Sequence, residues 1–191
     1  QNVMMELETK NNKKFTQDYL KTLHNQLSAL FNYAVRFYNM KNNPARIVGN
    51  MGKEQTKEMN FWTREEYLRF SNAIMDKEDI YHAFQILYWC GLRLGELLAL
   101  TREDFDLTKS TIRINKSYQR INKHDVITDP KTRKSNRYVQ MPDFLREEME
   151  DYFTRIYDLN GTDRIFVISK SGLHHEMDRG CKISGVKRIR I

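Results

Sequence analysis

Cysteine is nearly absent from these 191 residues, with only Cys90 and Cys181 present. Two thiols so far apart make neither a disulfide framework nor a Cys-x-x-Cys motif, and a reducing, cytoplasmic setting is the simplest expectation. Long apolar runs are missing too. None approaches the ~20 residues that a bilayer-spanning helix needs, and no secretory signal is present. Histidine is sparse: His24, His82 and His124 are scattered, and His174-His175-Glu176 lacks the spacing of helical metal ligands, so no metal site is expected. No internal repeat is visible. Acidic residues fall short of basic ones, 25 against 32, leaving a net charge of +7. That surplus points to an anionic partner, nucleic acid before membrane. The first residue is Gln1, which suggests a fragment.

Residues from about Thr16 to Met40 carry Leu20, Leu23, Leu27, Leu30, Ala34 and Phe37 at helical spacing, with Thr16 as N-cap. The opposite face offers Lys21, His24, Asn25, Asn32 and Arg36. From Lys41 to Asn60 the periodicity fades into Asn42-Asn43-Pro44, two glycines and several lysines, the composition of a linker. Order restarts at Trp62-Thr63-Arg64-Glu65-Glu66-Tyr67, where Thr63 and Glu66 have capping-box spacing and Trp62 can staple onto Tyr67. Helices are expected over about Arg64–Ile74 and Lys77–Trp89.

After them comes Gly91-Leu92-Arg93-Leu94-Gly95-Glu96-Leu97-Leu98-Ala99-Leu100. Gly91 suits the left-handed position that follows a helix C-terminus. Leu97, Leu98 and Leu100 make the next short helix apolar on one face. Arg93 and Glu96, three apart, share a side and can interact. An Arg-x-x-Glu pair alone is commonly a solvated ion pair. Set in an apolar segment at a glycine corner, it also suits a guanidinium fixed to grip a phosphate. Thr101 and Asp104 punctuate the segment's end.

The period then changes to alternation. Strands are expected at Thr111–Asn115, Asp125–Thr128 and Asn136–Met141, the last two joined by the polar hairpin loop Asp129-Pro130-Lys131-Thr132-Arg133-Lys134-Ser135. Pro142 closes the sheet. Phe144, Leu145, Met149, Tyr152, Phe153 and Ile156 mark a further helix, and Ile165–Ile168 a short buried extended run. The end, Lys182–Ile191, is basic.

The segment Gly91–Leu100, followed by Thr101-Arg102-Glu103-Asp104-Phe105-Asp106, resembles the first active-site box of the tyrosine recombinases, the phage-type integrases. The basic loop from Pro130 to Val139 resembles their β-hairpin. The resemblance implies an α+β fold: a mainly helical catalytic domain with a small three-stranded antiparallel sheet, preceded by part of a helical core-binding domain. Its implied boundaries are 1–45 for the end of the core-binding domain, 46–60 for a linker and 61–191 for the catalytic domain.

The activity implied is site-specific recombination of double-stranded DNA through a 3′-phosphotyrosyl intermediate, without cofactor, by a protein that is tetrameric on DNA. Arg93 would clamp the scissile phosphate and Glu96 would orient it. Lys131 would protonate the departing 5′-oxygen, with Lys134 as its alternative. Further DNA contacts are expected from Lys21, Asn25, Arg36, Arg133, Arg137, His174, His175, Lys187 and Arg188. The family's His-x-x-Arg-His box and its nucleophilic tyrosine have no counterpart here, so the chain as it stands is expected to be monomeric when free, to bind DNA and not to cleave it. Two rivals predict otherwise. A non-catalytic DNA-binding protein on the same scaffold would form no covalent adduct even at full length, and a helical protein-interaction module would not bind duplex at moderate salt.

Overall fold

The computed structural model describes residues 15–50, 59–129, 135–156 and 160–191. Contacts divide the chain into two units, 1–58 and 59–191.

In the first unit, helix α1 (Gln17–Phe37) starts where Thr16 accepts a hydrogen bond from the Tyr19 amide at 3.3 Å. A short helix, α2 (Pro44–Val48), interrupts the stretch expected to be a linker. Its cause is local. The Asn43 side chain caps the Arg46 amide, and Pro44 presets the first helical φ. The Asn43 side-chain amide also donates to the Ser28 carbonyl and to Asn32 Oδ1, both at 2.9 Å, which ties α2 to α1. The apolar spacing of α1 translates into burial only in its first turns: Leu20 is buried, but Leu27, Leu30, Tyr33, Phe37 and Tyr38 are exposed, while His24, expected on the polar face, is buried. Among the described residues of this unit, the single-turn α2 is the element beside α1, too little surface to cover a 21-residue helix.

The second unit begins with α3 (Arg64–Ala73), whose capping box between Thr63 and Glu66 is complete. The Trp62 ring lies 6.3 Å from Tyr67 and 4.5 Å from Phe70. Helix α4 (Glu78–Cys90) ends at Gly91 in the left-handed conformation, φ 61° and ψ 36°. After it come the single turn α5 (Leu94–Leu97), a 3₁₀ turn (Arg102–Asp104), β1 (Phe105–Asp106), β2 (Thr111–Ile114), β3 (Ser117–Ile121), β4 (His124–Thr128), β5 (Arg137–Gln140), α6 (Asp143–Arg155) and α7 (Lys170–Ser184). The core collects Phe70 of α3 and Ile74 at its C-cap, Ala83, Phe84 and Ile86 of α4, the run Leu97–Leu100, Ile112 and Ile114 of β2, Leu145 and Met149 of α6, and Leu173 and Met177 of α7. At about 1.5–3 kcal/mol for each large side chain fully buried, this cluster is the main stabilising element of the unit. Among the described residues no helix is long and apolar enough to cross a membrane.

The fold class is α+β, as the sequence implies, but the strands are sorted differently. The three-stranded antiparallel sheet has the order β1-β2-β5, and Asp125–Thr128 is not part of it. That segment pairs instead with Ser117–Ile121 in a separate hairpin, turned by Asn122 and Lys123, both with positive φ. Asn-Lys lacks the glycine that usually announces such a turn. The flanking strands β4 and β5 thus belong to different sheets, and residues 130–134 between them, with Lys131, lie outside the described residues. Helix α7 is a second departure, since the sequence reading places no element there. Its signal exists in Ser169, which caps the Gly172 amide, and in the helical spacing of Leu173, Met177 and Cys181. Two glycines and a histidine pair obscure it. In the run Ile165–Ile168, Ile165 and Phe166 are buried and Val167 is exposed.

Candidate functional site: an arginine corner on a buried carboxylate

The corner begins with backbone geometry. Gly91 lets the chain leave α4 sharply, its amide still bonded to the Leu87 carbonyl at 3.2 Å. Arg93 then sits in extended conformation as the N-cap of α5. Gly95 is required for a different reason. A Cβ there would lie 2.6 Å from Ser117 Oγ and 3.2 Å from the Tyr118 carbonyl oxygen, so its absence lets α5 rest directly on β3.

From this turn the Glu96 side chain folds back on Arg93. Its Oε2 accepts the Arg93 backbone N–H at 2.9 Å, and its Oε1 accepts Arg93 Nη1 at 2.9 Å. A second guanidinium completes the arrangement. Arg137, the first residue of β5, donates Nη1 to Oε1 at 3.0 Å and Nη2 to Oε2 at 2.9 Å. Each carboxylate oxygen thus receives two donors. The side chain of Glu96 is 7% exposed, that of Arg137 32% and that of Arg93 74%. The carboxylate is enclosed while Arg93 projects into solvent. Glu96 is Arg93's side-chain partner among the described residues and takes one N–H of its guanidinium, so the other donors face outward.

Burial alone would raise the Glu96 carboxyl pKa. The Arg137 fork, together with the Arg93 amide and guanidinium, outweighs burial and holds it at about 2. The charged carboxylate therefore stabilises the fold above its ordinary pKa of 4.5, and that contribution is lost as the pH falls toward 2. Denaturant midpoints of the parent and of Glu96→Gln are expected to differ most above pH 4.5 and to converge below it. A gap of about 2–3 kcal/mol at neutral pH is expected, as for a charge whose two partners stay partly wet. Parallel curves across that window would contradict the assignment.

Beside the corner lies a cleft of about 1150 Å³, lined by Arg93, Arg188 and Arg190 and by apolar residues that include Tyr88, Leu92 and Ile191. Three basic side chains on an apolar wall suit a partner that brings phosphates together with flat or apolar groups. Lys187 lies 3.4 Å from Glu66 and over the Phe61 ring, and Arg188 pairs with Asp178. The end of the box is secured separately. Lys116 bridges buried Asp104 at 2.6 Å and the Thr101 hydroxyl at 3.0 Å.

The other residues singled out in the sequence fall into three groups. Arg93, Glu96 and Arg137 come together, but Arg137, expected to meet DNA, has its fork on Glu96. Lys131, Arg133 and Lys134 lie outside the described residues. Asn25 and Arg36 are exposed on α1, Lys21 is half-buried there, and His174 and His175 lie on α7. Next to the histidines, Glu176 is buried and bridges Lys77 at 2.6 Å and Arg179 at 2.7 Å, a fastening of α7 that its sequence context does not announce.

An exposed arginine held by a buried carboxylate thus sits on an α+β domain with small antiparallel sheets. The chain belongs to the phage integrase family, whose model matches residues 50–184. It is 34% identical over 116 residues to the ICEBs1 integrase of Bacillus subtilis (strain 168), a match covering 60% of this chain and 31% of that one. With the integrase of Mycobacterium phage L5 it shares 28% identity over 178 residues, 88% of this chain and 47% of the relative. The chain thus spans about a third to a half of the length of these relatives. Among solved structures, the Tn1549 transposon integrase in complex with a circular intermediate DNA superposes with a TM-score of 0.67 at 19% identity, over 83% of this chain and 53% of that one. A lambda integrase dimer bound to a COC′ core site gives 0.60 at 14% identity, over 88% and 59%. At these identities the likeness is one of fold.

Proposed function

We propose that this chain is part of a site-specific DNA recombinase that integrates or excises a phage or other mobile element. In this reading residues 59–191 are most of the catalytic domain, and the preceding unit is the end of a helical core-binding domain. The observation that carries the reading is the corner itself: in a member of the phage integrase family, Arg93 stands exposed at the mouth of a basic cleft while Glu96 is fully engaged behind it. Arg93 clamps the scissile phosphate. A tyrosine beyond these residues attacks the phosphorus and forms a 3′-phosphotyrosyl bond, and the 5′-oxygen leaves with a proton. Lys131 supplies that proton, or Lys134 if the loop is set in the neighbouring register. The cations stabilise the charge of the pentavalent transition state. The enzyme works as a tetramer on paired duplex sites, and the 191 residues alone bind duplex DNA without forming an adduct.

The test uses the full-length protein and a nicked suicide duplex carrying the element's recombination site, with covalent protein–DNA species resolved under denaturing conditions. Lys131→Ala is expected to slow adduct formation by about 10²–10⁴, the usual contribution of a general acid. A 5′-bridging phosphorothiolate, whose sulfur leaves without protonation, is expected to restore the rate. Rescue of Lys134→Ala instead would move the acid to Lys134. Absence of any adduct from the full-length protein would leave a non-catalytic DNA-binding protein on this scaffold.

A further inference from the structure

We propose that Arg137 is a positioning residue for Arg93: by filling two of the four acceptor directions of the Glu96 carboxylate it keeps Arg93's guanidinium available to a phosphate, and it fastens the end of the lysine-bearing loop to the same carboxylate. The inference rests on the reading of Arg93 as a phosphate clamp, and it concerns a residue 41 positions away in sequence.

The reasoning begins with the donors on one carboxylate. Glu96 accepts four hydrogen bonds, two from Arg93 and two from Arg137. A carboxylate has about four acceptor directions, so it has none left for a further N–H of Arg93. Without Arg137, two of those directions would be vacant beside the 74%-exposed Arg93 side chain. The strongest way to fill them is a bidentate fork from that same guanidinium, which would turn its donors inward and away from the cleft. Charge gives the same result. Two guanidiniums and one carboxylate leave the corner with a net +1, whereas Arg93 and Glu96 alone cancel. At the Arg93–Glu96 pair itself, the surplus positive charge comes from Arg137.

Its second contact extends the role. Arg137 Nη1 also lies 3.3 Å from the carbonyl oxygen of Ser135, the residue that resumes the described chain after 130–134. One guanidinium therefore holds both the carboxylate behind Arg93 and the C-terminal stem of the loop that carries Lys131 and Lys134. Lysine in its place would keep the charge and lose the planar fork.

The experiment is a double-mutant cycle between Arg93→Ala and Arg137→Lys on this chain, with binding to a mixed-sequence duplex measured across a salt series. In the parent, Arg93→Ala is expected to flatten the slope of log K against log salt by about one, the signature of one lost phosphate contact. In the Arg137→Lys background it is expected to change the slope by less than about half of that. Carbon-13 titration of the Glu96 carboxyl gives a readout independent of DNA. Its pKa, near 2 in the parent, is expected to rise by more than about one unit in Arg137→Lys and further in Arg137→Gln. A general structural role would lower the melting temperature without moving either quantity selectively.

If Arg93→Ala flattens the slope equally in both backgrounds, the positioning role is overturned while the clamp stands. If Arg93→Ala leaves the parent's slope unchanged, the clamp reading itself fails and the inference falls with it. An unmoved Glu96 titration in folded Arg137→Lys also overturns the inference. Arg137→Gln keeps the test decisive should either variant be poorly folded.

Discussion

Replacing Arg93 by alanine in the full-length protein is expected to reduce covalent adduct formation on a nicked suicide duplex by about a thousandfold. Duplex affinity should fall by no more than about tenfold. The asymmetry follows from what one fixed cation does at each stage. On the proposed clamp reading, Arg93 is one phosphate contact among many in the bound ground state, and losing it weakens binding by about the strength of one charge-assisted hydrogen bond. On the same reading the scissile phosphate gains charge beside Arg93 in the transition state, and removing a preorganised donor there commonly lowers the rate by about 10²–10³. Arg93 is already held on its inner side by Glu96, so little reorganisation is required when that charge develops. Arg93→Lys is expected to recover binding but little of the rate, since an ammonium lacks the fork. Equal losses in affinity and rate would show Arg93 to be an ordinary backbone contact.

Gly180→Ala is expected to destabilise the second unit by about 2–3 kcal/mol, lowering its melting temperature by roughly 10 °C. A methyl group at this position of α7 would lie 2.5 Å from Phe70 Cε2 and 2.7 Å from Ile74 Cγ2. Both side chains, Phe70 on α3 and Ile74 at its C-cap, are fully buried, and Phe70 is itself wedged against Trp62 and Phe84. No neighbour can yield by rotation alone, so the two helices must separate. The better helix propensity of alanine, worth about 1 kcal/mol over glycine, is too small to offset that. Phe70→Leu, destabilising alone because it leaves a cavity, should cost less in the Gly180→Ala background, because the methyl group takes up part of that space. Thermal melts of the four proteins test this. A melting temperature unchanged or raised in Gly180→Ala would mean that α3 and α7 pack less closely than described here.

Several elements were readable because their determinants lie within one helical turn of each other. Thr63 with Glu66 and Thr101 with Asp104 are short side chains that reach backbone amides three residues away, whatever the rest of the chain does. Gly91 takes a backbone conformation that other residues resist. The facing of Arg93 and Glu96 is likewise a consequence of helical spacing. Helix α7 was also legible in principle, but its apolar stripe contains Gly180, which reads as a helix breaker. That residue is a contact surface only once α3 lies against it.

The sequence by itself therefore determined the starts and stops of most helices, the corner at Gly91, the Arg93–Glu96 pair and membership of an α+β class, all set by interactions across three or four residues. Tertiary structure alone decided that Asp125–Thr128 pairs with Ser117–Ile121 and that β5 joins β1 and β2. It likewise brought Arg137 to Glu96 and joined Lys77 to Glu176, 99 positions apart. The physical reason is common to these cases. A strand's alternation states which face it buries, but not its partner, and a charged side chain shows its ability to pair, but not with which group. Those choices depend on how the chain returns on itself, and its return across β5 is what places a second guanidinium behind Arg93.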